Sequence, residues 1–379
     1  GSADIIATVE TVVGTTTANV SFELSSVAAG NEHTCGLAPN GISFCWGKGG
    51  NGRLGNGTST DAQLPSFVTT SRQFDEIRPG NQHTCARSGG DIFCWGQDNN
   101  GRLGATTSGN DPATPTVRVE GTEMYTQLDV LHDHSCGVTS TNDIRCWGTG
   151  GSGRLGDGAV TDNTTPDLVS DPAGQTGFKW TQVATGHSHS CAIAMTGDTY
   201  CWGKGTLGQL GDGLKTNSLI PVKVDTSSVS NVAFMQVTAG QDFSCGMTAA
   251  GAAYCWGAND VGQVGAMSAT TDFGTPTLVA GTNVFTAIDS GYGHSCGMTA
   301  TTTSCWGAGD LGQIGDNSTN DATSPTLVSG SHVFMSVATG GTQSCGVTAT
   351  TSYCFGSNAD YQLGDNTTDQ HLVPTEVWP

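Results

Sequence analysis

The chain has 379 residues, 56 of them Gly, and only 12% are charged, yet 33 acidic residues against 13 basic ones leave a formal net charge of −20. So acidic a balance speaks against a nucleic-acid or anionic-membrane surface. No apolar run approaches the ~20 residues that span a bilayer, so membrane insertion is not expected.

Residues 1–21 alternate Ile, Val and Thr outside any repeat and read as a linker, an extra N-terminal strand, or the stump of a longer surface or fibre protein. Gly1-Ser2 reads as a cloning remnant, so the lack of a visible signal peptide carries no information. From residue 22 onward one phrase recurs seven times, about every 50 residues, a period that suits a four-stranded propeller blade. Each unit holds a cysteine pair: Cys35 with Cys45, Cys85 with Cys94, Cys136 with Cys146, Cys191 with Cys201, Cys245 with Cys255, Cys296 with Cys305, and Cys345 with Cys354.

Within a unit, four short apolar or alternating stretches are separated by Gly, Asn, Asp and Thr clusters, the pattern of strands joined by turns. In the sixth unit these are strand A (around 285–290), B (294–298), C (304–306) and D (325–328). A large apolar residue opens strand A in every unit, from Leu24 and Phe74 to Phe334. Trp follows the second cysteine in six units, and Phe355 stands there in the seventh. Pro65, Pro115, Pro166, Pro221, Pro276, Pro325 and Pro374 open strand D. Proline cannot donate to a ladder, so D is expected at the outer edge. The expected fold is all-β: a single-domain, seven-bladed β-propeller over residues 22–379, with four short antiparallel strands per blade.

Strands B and C are hairpin neighbours, so each cysteine pair faces across the hairpin and one disulfide per blade is expected. Paired cysteines throughout point to an oxidising compartment, secreted or at the cell surface. Each clip closes a loop of about ten residues, worth roughly 2–3 kcal/mol in the chain-entropy model. Zinc is the competing reading, because His33, His83, His134, His189 and His294 each stand two residues before a first cysteine. Units five and seven keep both cysteines with Phe243 and Gln343 at that position, which argues against metal. The histidines are instead expected to hydrogen-bond turn backbone.

The phrases His-Ser-Cys-Gly, Cys-Trp-Gly and Gly-Gln-Leu-Gly-Asp-Gly resemble the repeat of the regulator of chromosome condensation family, over about residues 22–377. The resemblance implies a seven-bladed propeller, here as a disulfide-rich, exported, bacterial-type member, since the family more often has an aliphatic and a small residue at the two cysteine positions. It also brings the guanine-nucleotide exchange and chromatin binding of the family's name member. That role needs a reducing compartment, an inserted wedge and a basic surface. Seven cysteine pairs, even unit lengths and the acidic balance argue against all three.

Strand order puts the A–B turns and C–D arms on one face, here the upper, and the B–C hairpins and D–A connections on the lower. On the upper face two residues before each His-x-Cys vary while their frame repeats, and loops on rigid scaffolds carry function. The candidate ligand-binding residues are Glu32, Gln82, His132, Asp133, His187, Asp242 and Tyr292. They make a polar, partly acidic ring suited to a glycan, a polar peptide or a cationic group. The long lower-face connections around 170–177 and 225–231 read as tolerated insertions. Asp157 with Asp162, and Asp316 with Asp321, stand at a spacing that can bind calcium. No complete calcium loop is present, and turn hydrogen bonding accounts for them, so no cofactor is expected. No nucleophile, phosphate-loop or zinc-helix motif is found, so no enzymatic activity is expected. The function expected is an exported or cell-surface recognition or adhesion module for a surface glycan or protein. An inhibitor of a secreted enzyme is the alternative, as the upper turns resemble the surface by which a secreted propeller of this repeat type grips β-lactamase. A structural spacer comes after both.

Overall fold

Short Gly-bounded runs form seven four-stranded antiparallel sheets, each built from one uninterrupted stretch of chain. In blade 4 the strands are Trp180–Thr185 (A), His189–Ala194 (B), Thr199–Gly203 (C) and Ser218–Lys223 (D), and the other blades repeat this order. The structure, a computed structural model, describes residues 23–106 and 111–377 in full, and the backbone of 7–12 and 15–20. Those two N-terminal stretches pair with each other in a separate ladder, Ala7 opposite Val20. The remainder of the expected linker, at 1–6, 13–14 and 21, lies outside the described residues. The chain is the all-β, seven-bladed propeller that its repeat implies.

All seven expected disulfides form, one per blade, and no cysteine is free. Cys35 bonds to Cys45, Cys85 to Cys94, Cys136 to Cys146 and Cys191 to Cys201. Cys245 bonds to Cys255, Cys296 to Cys305 and Cys345 to Cys354. Each joins directly opposed residues of strands B and C, as Cys136 opposes Cys146 with Cα atoms 4.1 Å apart. So short a separation belongs to the non-hydrogen-bonded pairs of an antiparallel ladder, where opposed side chains stand closest.

Most of the prolines do not open strand D. Pro65 is the fourth residue of Ala62–Phe67, and Pro166, Pro221, Pro325 and Pro374 hold the same place in their strands. Pro276 is the fifth residue of Asp272–Leu278, and Pro115 stands ahead of the short Val117–Arg118. The register explains the interior position. Cys45 pairs with Ser66 but Gly47 pairs with Ala62, so Gln63-Leu64-Pro65 bulge away opposite Trp46. The proline therefore sits where no ladder donor is called for, on the outermost strand.

Neighbouring blades are joined by a repeated latch built from the Gly-x-Leu-Gly arm. The Arg53 carbonyl of blade 1 accepts the Trp95 indole N–H (2.9 Å) and the Thr84 hydroxyl (2.8 Å) of blade 2. Close approach requires glycine: Gly55, at φ +71, faces the Trp95 indole, and a Cβ there would lie 2.6 Å from Nε1. The Arg154 and Gln209 carbonyls receive the same two donors, Trp202 with Ser190 and Trp256 with Ser244. At the last internal junction Phe355 supplies no indole, and Ser344 alone donates to Gln313 O (2.9 Å).

The histidines belong to this latch and not to turn backbone. His33 Nε2 lies 2.8 Å from Thr84 Oγ1, and His134, His189 and His294 reach Ser190, Ser244 and Ser344 in the same way. In these four cases the hydroxyl spends its one proton on the arm carbonyl, so the imidazole must donate from Nε2. Each ring is fully buried, and its Nδ1 has no partner. Burial therefore holds all five imidazoles neutral, with His83 lowered to about 3 and His189 and His294 to about 4.

The same latch closes the ring. Blade 1 owns Ser26–Ala29 and blade 7 owns the terminal strand His371–Glu376, so no strand is exchanged. Gln362 O of blade 7 accepts Trp46 Nε1 (3.0 Å) and Thr34 Oγ1 (2.8 Å) of blade 1.

Candidate functional site

The A strands surround a central channel with a cavity of about 110 Å³. Its wall is stitched by side chains that reach the next blade: Gln127 both donates to Val183 O and accepts Val183 N (2.9 Å each), and Gln182 and Gln236 repeat this on Val237 and Ile288. Asp129 accepts Thr185 N and Oγ1, and Asp289 accepts Thr339 N and Oγ1. Burial raises both carboxyls above their ordinary range, although Arg78, 3.7 Å from Asp129, opposes the shift.

On the upper face the A–B turns are tied head to tail. Asn31 N donates to Gly80 O, Asn81 N to His132 O, His187 N to Gly240 O and Gln241 N to Tyr292 O (3.1 Å each), and Gly341 N closes onto Gly30 O (3.0 Å). Between blades 3 and 4 two rings meet instead, His132 and His187, with centroids 3.8 Å apart. Tyr292 of blade 6 approaches both, at 5.8 and 6.2 Å. Residues from blades 3 and 6 can come so close only near the axis, so the three rings stand over the channel mouth. Burial pushes the Tyr292 phenol up, and its hydroxyl has no hydrogen-bond partner. His187 is lowered to about 4, first by burial and then by the neighbouring His132.

The structure thus brings His132, His187 and Tyr292 together and separates the other candidates. Glu32 pairs with Lys48 (3.0 Å) and Arg53 (3.2 Å). Asp133 pairs with Arg102 (2.9 Å) and His132 (3.0 Å). Burial alone would raise Asp133, but His132 and Arg102 outweigh it and hold the carboxyl well below the usual range. Asp242 pairs with Lys204 (2.9 Å) and accepts Gln209 Nε2 (3.2 Å), while Gln82 accepts Asn51 Nδ2 (3.1 Å). The ring's carboxylates are therefore matched by cations. These partners come from the arms, and Arg53 and Arg102 sit inside the Gly-Arg-Leu-Gly step, which on sequence looks like part of a turn.

Uncompensated acidity lies further out, on the C–D arms of blades 5–7, where Asp260, Asp310, Asp316, Asp321 and Asp369 stand in a stretch with no Lys or Arg. Asp316 accepts Ser318 N and Asp157 accepts Ala159 N within their own turns, and Asp321 accepts Gly309 N across the base of its arm. Among the described residues no three His, Cys, Asp or Glu side chains converge as a metal site does. The longer lower-face connection of blade 4 is organised by Asp171, which accepts Gly177 N and Phe178 N, placing Phe178 on Trp180 and Tyr200.

Among solved structures, Prp20p of Saccharomyces cerevisiae has the same fold, with a TM-score of 0.78 at 22% identity over 90% of this chain and 87% of that chain. The chain is 28% identical over 247 residues to the ultraviolet-B receptor UVR8 of Arabidopsis thaliana, covering 64% of this chain and 55% of the receptor. It is 30% identical over 249 residues to the E3 ubiquitin-protein ligase HERC2 of Homo sapiens, covering 62% of this chain and 5% of the ligase. The match thus spans about half of the first relative and a small part of the second. Residues 40–87, 146–193, 196–247 and 250–298 match the regulator of chromosome condensation (RCC1) repeat, and residues 24–53, 180–209 and 236–263 match a second form of it. With more than half its length matched and the latch repeated around a closed ring of seven blades, the chain belongs to the RCC1 repeat family.

Proposed function

We propose that this propeller is a non-catalytic recognition module, exported or displayed at the cell surface, that takes a polar glycan or protein partner on its upper face. The observation that carries the reading is the meeting of His132, His187 and Tyr292 over the axis, three rings from three blades held by a hydrogen-bonded ring of turns. Aromatic and imidazole faces over a fixed frame suit sugar rings or peptide groups, and the acidic arms of blades 5–7 favour a partner with positive charge at its edge. The seven disulfides support an oxidising compartment. Proteins sharing the scaffold also support a binding role: one is named a receptor, and the Prp20p structure is described with its binding to Gsp1p and histones.

The test is a binding screen of the whole chain against glycan arrays and surface-protein panels, repeated with His132→Ala and His187→Ala combined. A specific partner whose affinity drops at least tenfold in the variant is expected. A partner bound equally by both proteins would remove the upper face from consideration.

A further inference from the structure

The two halves of the lower face differ in charge. On blades 2–4 it carries ion pairs: Arg87–Asp75 (3.3 Å), Arg118–Asp91 (2.6 Å), Arg145–Glu123 (2.7 Å), Lys179–Asp143 (2.7 Å) and Lys223–Asp198 (2.8 Å). On blades 5–7 the B–C hairpins are runs of Thr, Ala and Gly, and residues 276–288 and 322–353 contain no Asp, Glu, Lys or Arg. There the face exposes Met235 (69%), Leu278 (52%), Val284 (64%), Leu327 (60%), Val333 (53%) and Met335 (58%) with no ion pair among them, whereas the exposed Met124, Leu168 and Met195 of blades 3 and 4 stand among the ion pairs.

These six form one arc. Leu278 leads through a short connection to Val284, and Leu327 leads likewise to Val333 and Met335. A Cβ on Gly251 would lie 2.7 Å from Val284 Cγ1, so the blade 5 hairpin packs beside the blade 6 connection. Side chains of this size and exposure offer on the order of 600 Å² of apolar surface, the upper end of what a monomer displays. With the flanking Thr and Ala hairpins, the arc approaches the ~800 Å² per partner of a standard interface.

We propose that the lower face of blades 5–7 is the interface of a face-to-face homodimer. Two copies, each of net charge −20, repel each other when they approach through their acidic surfaces. The arc carries a carboxylate only toward its ends: Glu376 stands at the blade 7 end, in the register position of Leu278 and Leu327, and Asp225 precedes the blade 5 end. A twofold axis through the arc makes the contact self-complementary. The ion-paired blades 2–4 then lie outside the contact, and both upper faces point away from it. On the recognition reading above, such a particle presents two binding sites and gains avidity on a surface with repeated ligands.

Sedimentation of the full chain from about 1 to about 100 μM tests this, a range that spans ordinary dimer affinities. A concentration-dependent monomer–dimer equilibrium is expected, and it should hold or tighten between about 0.1 and about 1 M salt. Met235→Glu with Leu327→Glu should weaken it at least tenfold. Both side chains are more than half exposed, so the fold should survive, as thermal melting would verify. Met335→Ser, which removes apolar surface without adding charge, gives an independent reading in the same direction. A monomer at every concentration, a dimer indifferent to these substitutions, or one that dissolves in high salt, as ion pairs of blades 2–4 would, overturns the proposal.

Discussion

Blades 2–4 and blades 5–7 share strands, disulfide and backbone turns, yet they are finished with different chemistry. All 13 basic residues lie between Lys48 and Lys223, so three complete blades are built with none. The arms show the consequence most clearly. Arg154 reaches across a junction to donate to His187 O (2.8 Å), and Arg53 does the same to Asn81 O (3.0 Å). In the later blades the equivalent residue is Gln, which folds back on its own arm: Gln313 accepts Leu311 N (2.8 Å) and donates to Asp310 (3.1 Å). Gln209 of blade 4 stands between the two, accepting Leu207 N in its own arm while donating across the junction to Asp242, so one backbone accepts a cation or an amide, and the choice decides where the surface is charged, paired or bare.

Acidification should break the comparison most strongly. The five latch histidines have pKa values below their unfolded value of about 6.5, so their contribution is complete above that pH. It is lost as pH falls toward about 4 for His189 and His294 and about 3 for His83. A group moved from about 6.5 to about 4 contributes up to about 3 kcal/mol. Four of the five lie in blades 1–4, while blades 5 and 7 have Phe243 and Gln343. Hydrogen exchange at pH 7 and pH 4.5 should therefore show blades 1–4 losing protection first, with His189→Phe blunting the effect locally. Uniform loss around the ring would contradict the tautomer and burial argument.

The clips should show no such asymmetry. Replacing Cys136 and Cys146 by Ala should cost about 2–3 kcal/mol, and replacing Cys296 and Cys305 should cost the same within about 1 kcal/mol, because the closed loops are nearly equal. Unequal melting of the two variants would mean that the halves differ in scaffold and not only in finish. A smaller contrast should appear in the arms. Arg102→Met leaves the Asp133 carboxylate with His132 but without its guanidinium and should cost about 2 kcal/mol, against about 1 kcal/mol for Gln313→Met, as read from denaturant titrations. The smallest effect should come from Lys223→Ala, below about 0.5 kcal/mol, since its pair with Asp198 is well exposed.

Seven blades, their disulfides and their strand order are legible in the chain because each depends on local pattern: a hairpin brings two cysteines opposite each other whatever surrounds it. The latch is harder to read because its partners are a full repeat apart. His33 needs Thr84, and Trp95 needs the carbonyl of Arg53. A signal is nevertheless present, since the residue before every first cysteine is Ser or Thr, from Thr34 to Ser344. The ring of variable residues is visible as a set, but its electrostatics are not. The acids at 32, 133 and 242 look free in sequence while their cations sit in distant arms. The prolines look like strand starts because a bulge facing Trp46 leaves no local trace. The bare arc of blades 5–7 is written in what is missing, the absence of Lys and Arg after Lys223.

Closure without strand exchange has a topological meaning. Because blade 7 and blade 1 meet through the Gln362, Trp46 and Thr34 contacts used elsewhere, the boundary of the sequence repeat and the boundary of the physical blade coincide. The junction between the last blade and the first is built like the junctions inside the chain. A permuted chain, joined near Val377 to Leu24 and cut in any D–A connection, keeps every sheet whole and every latch in place. The order of blades along the chain is thus a convention of the polypeptide, whereas their order around the axis is what the surface chemistry has been fitted to.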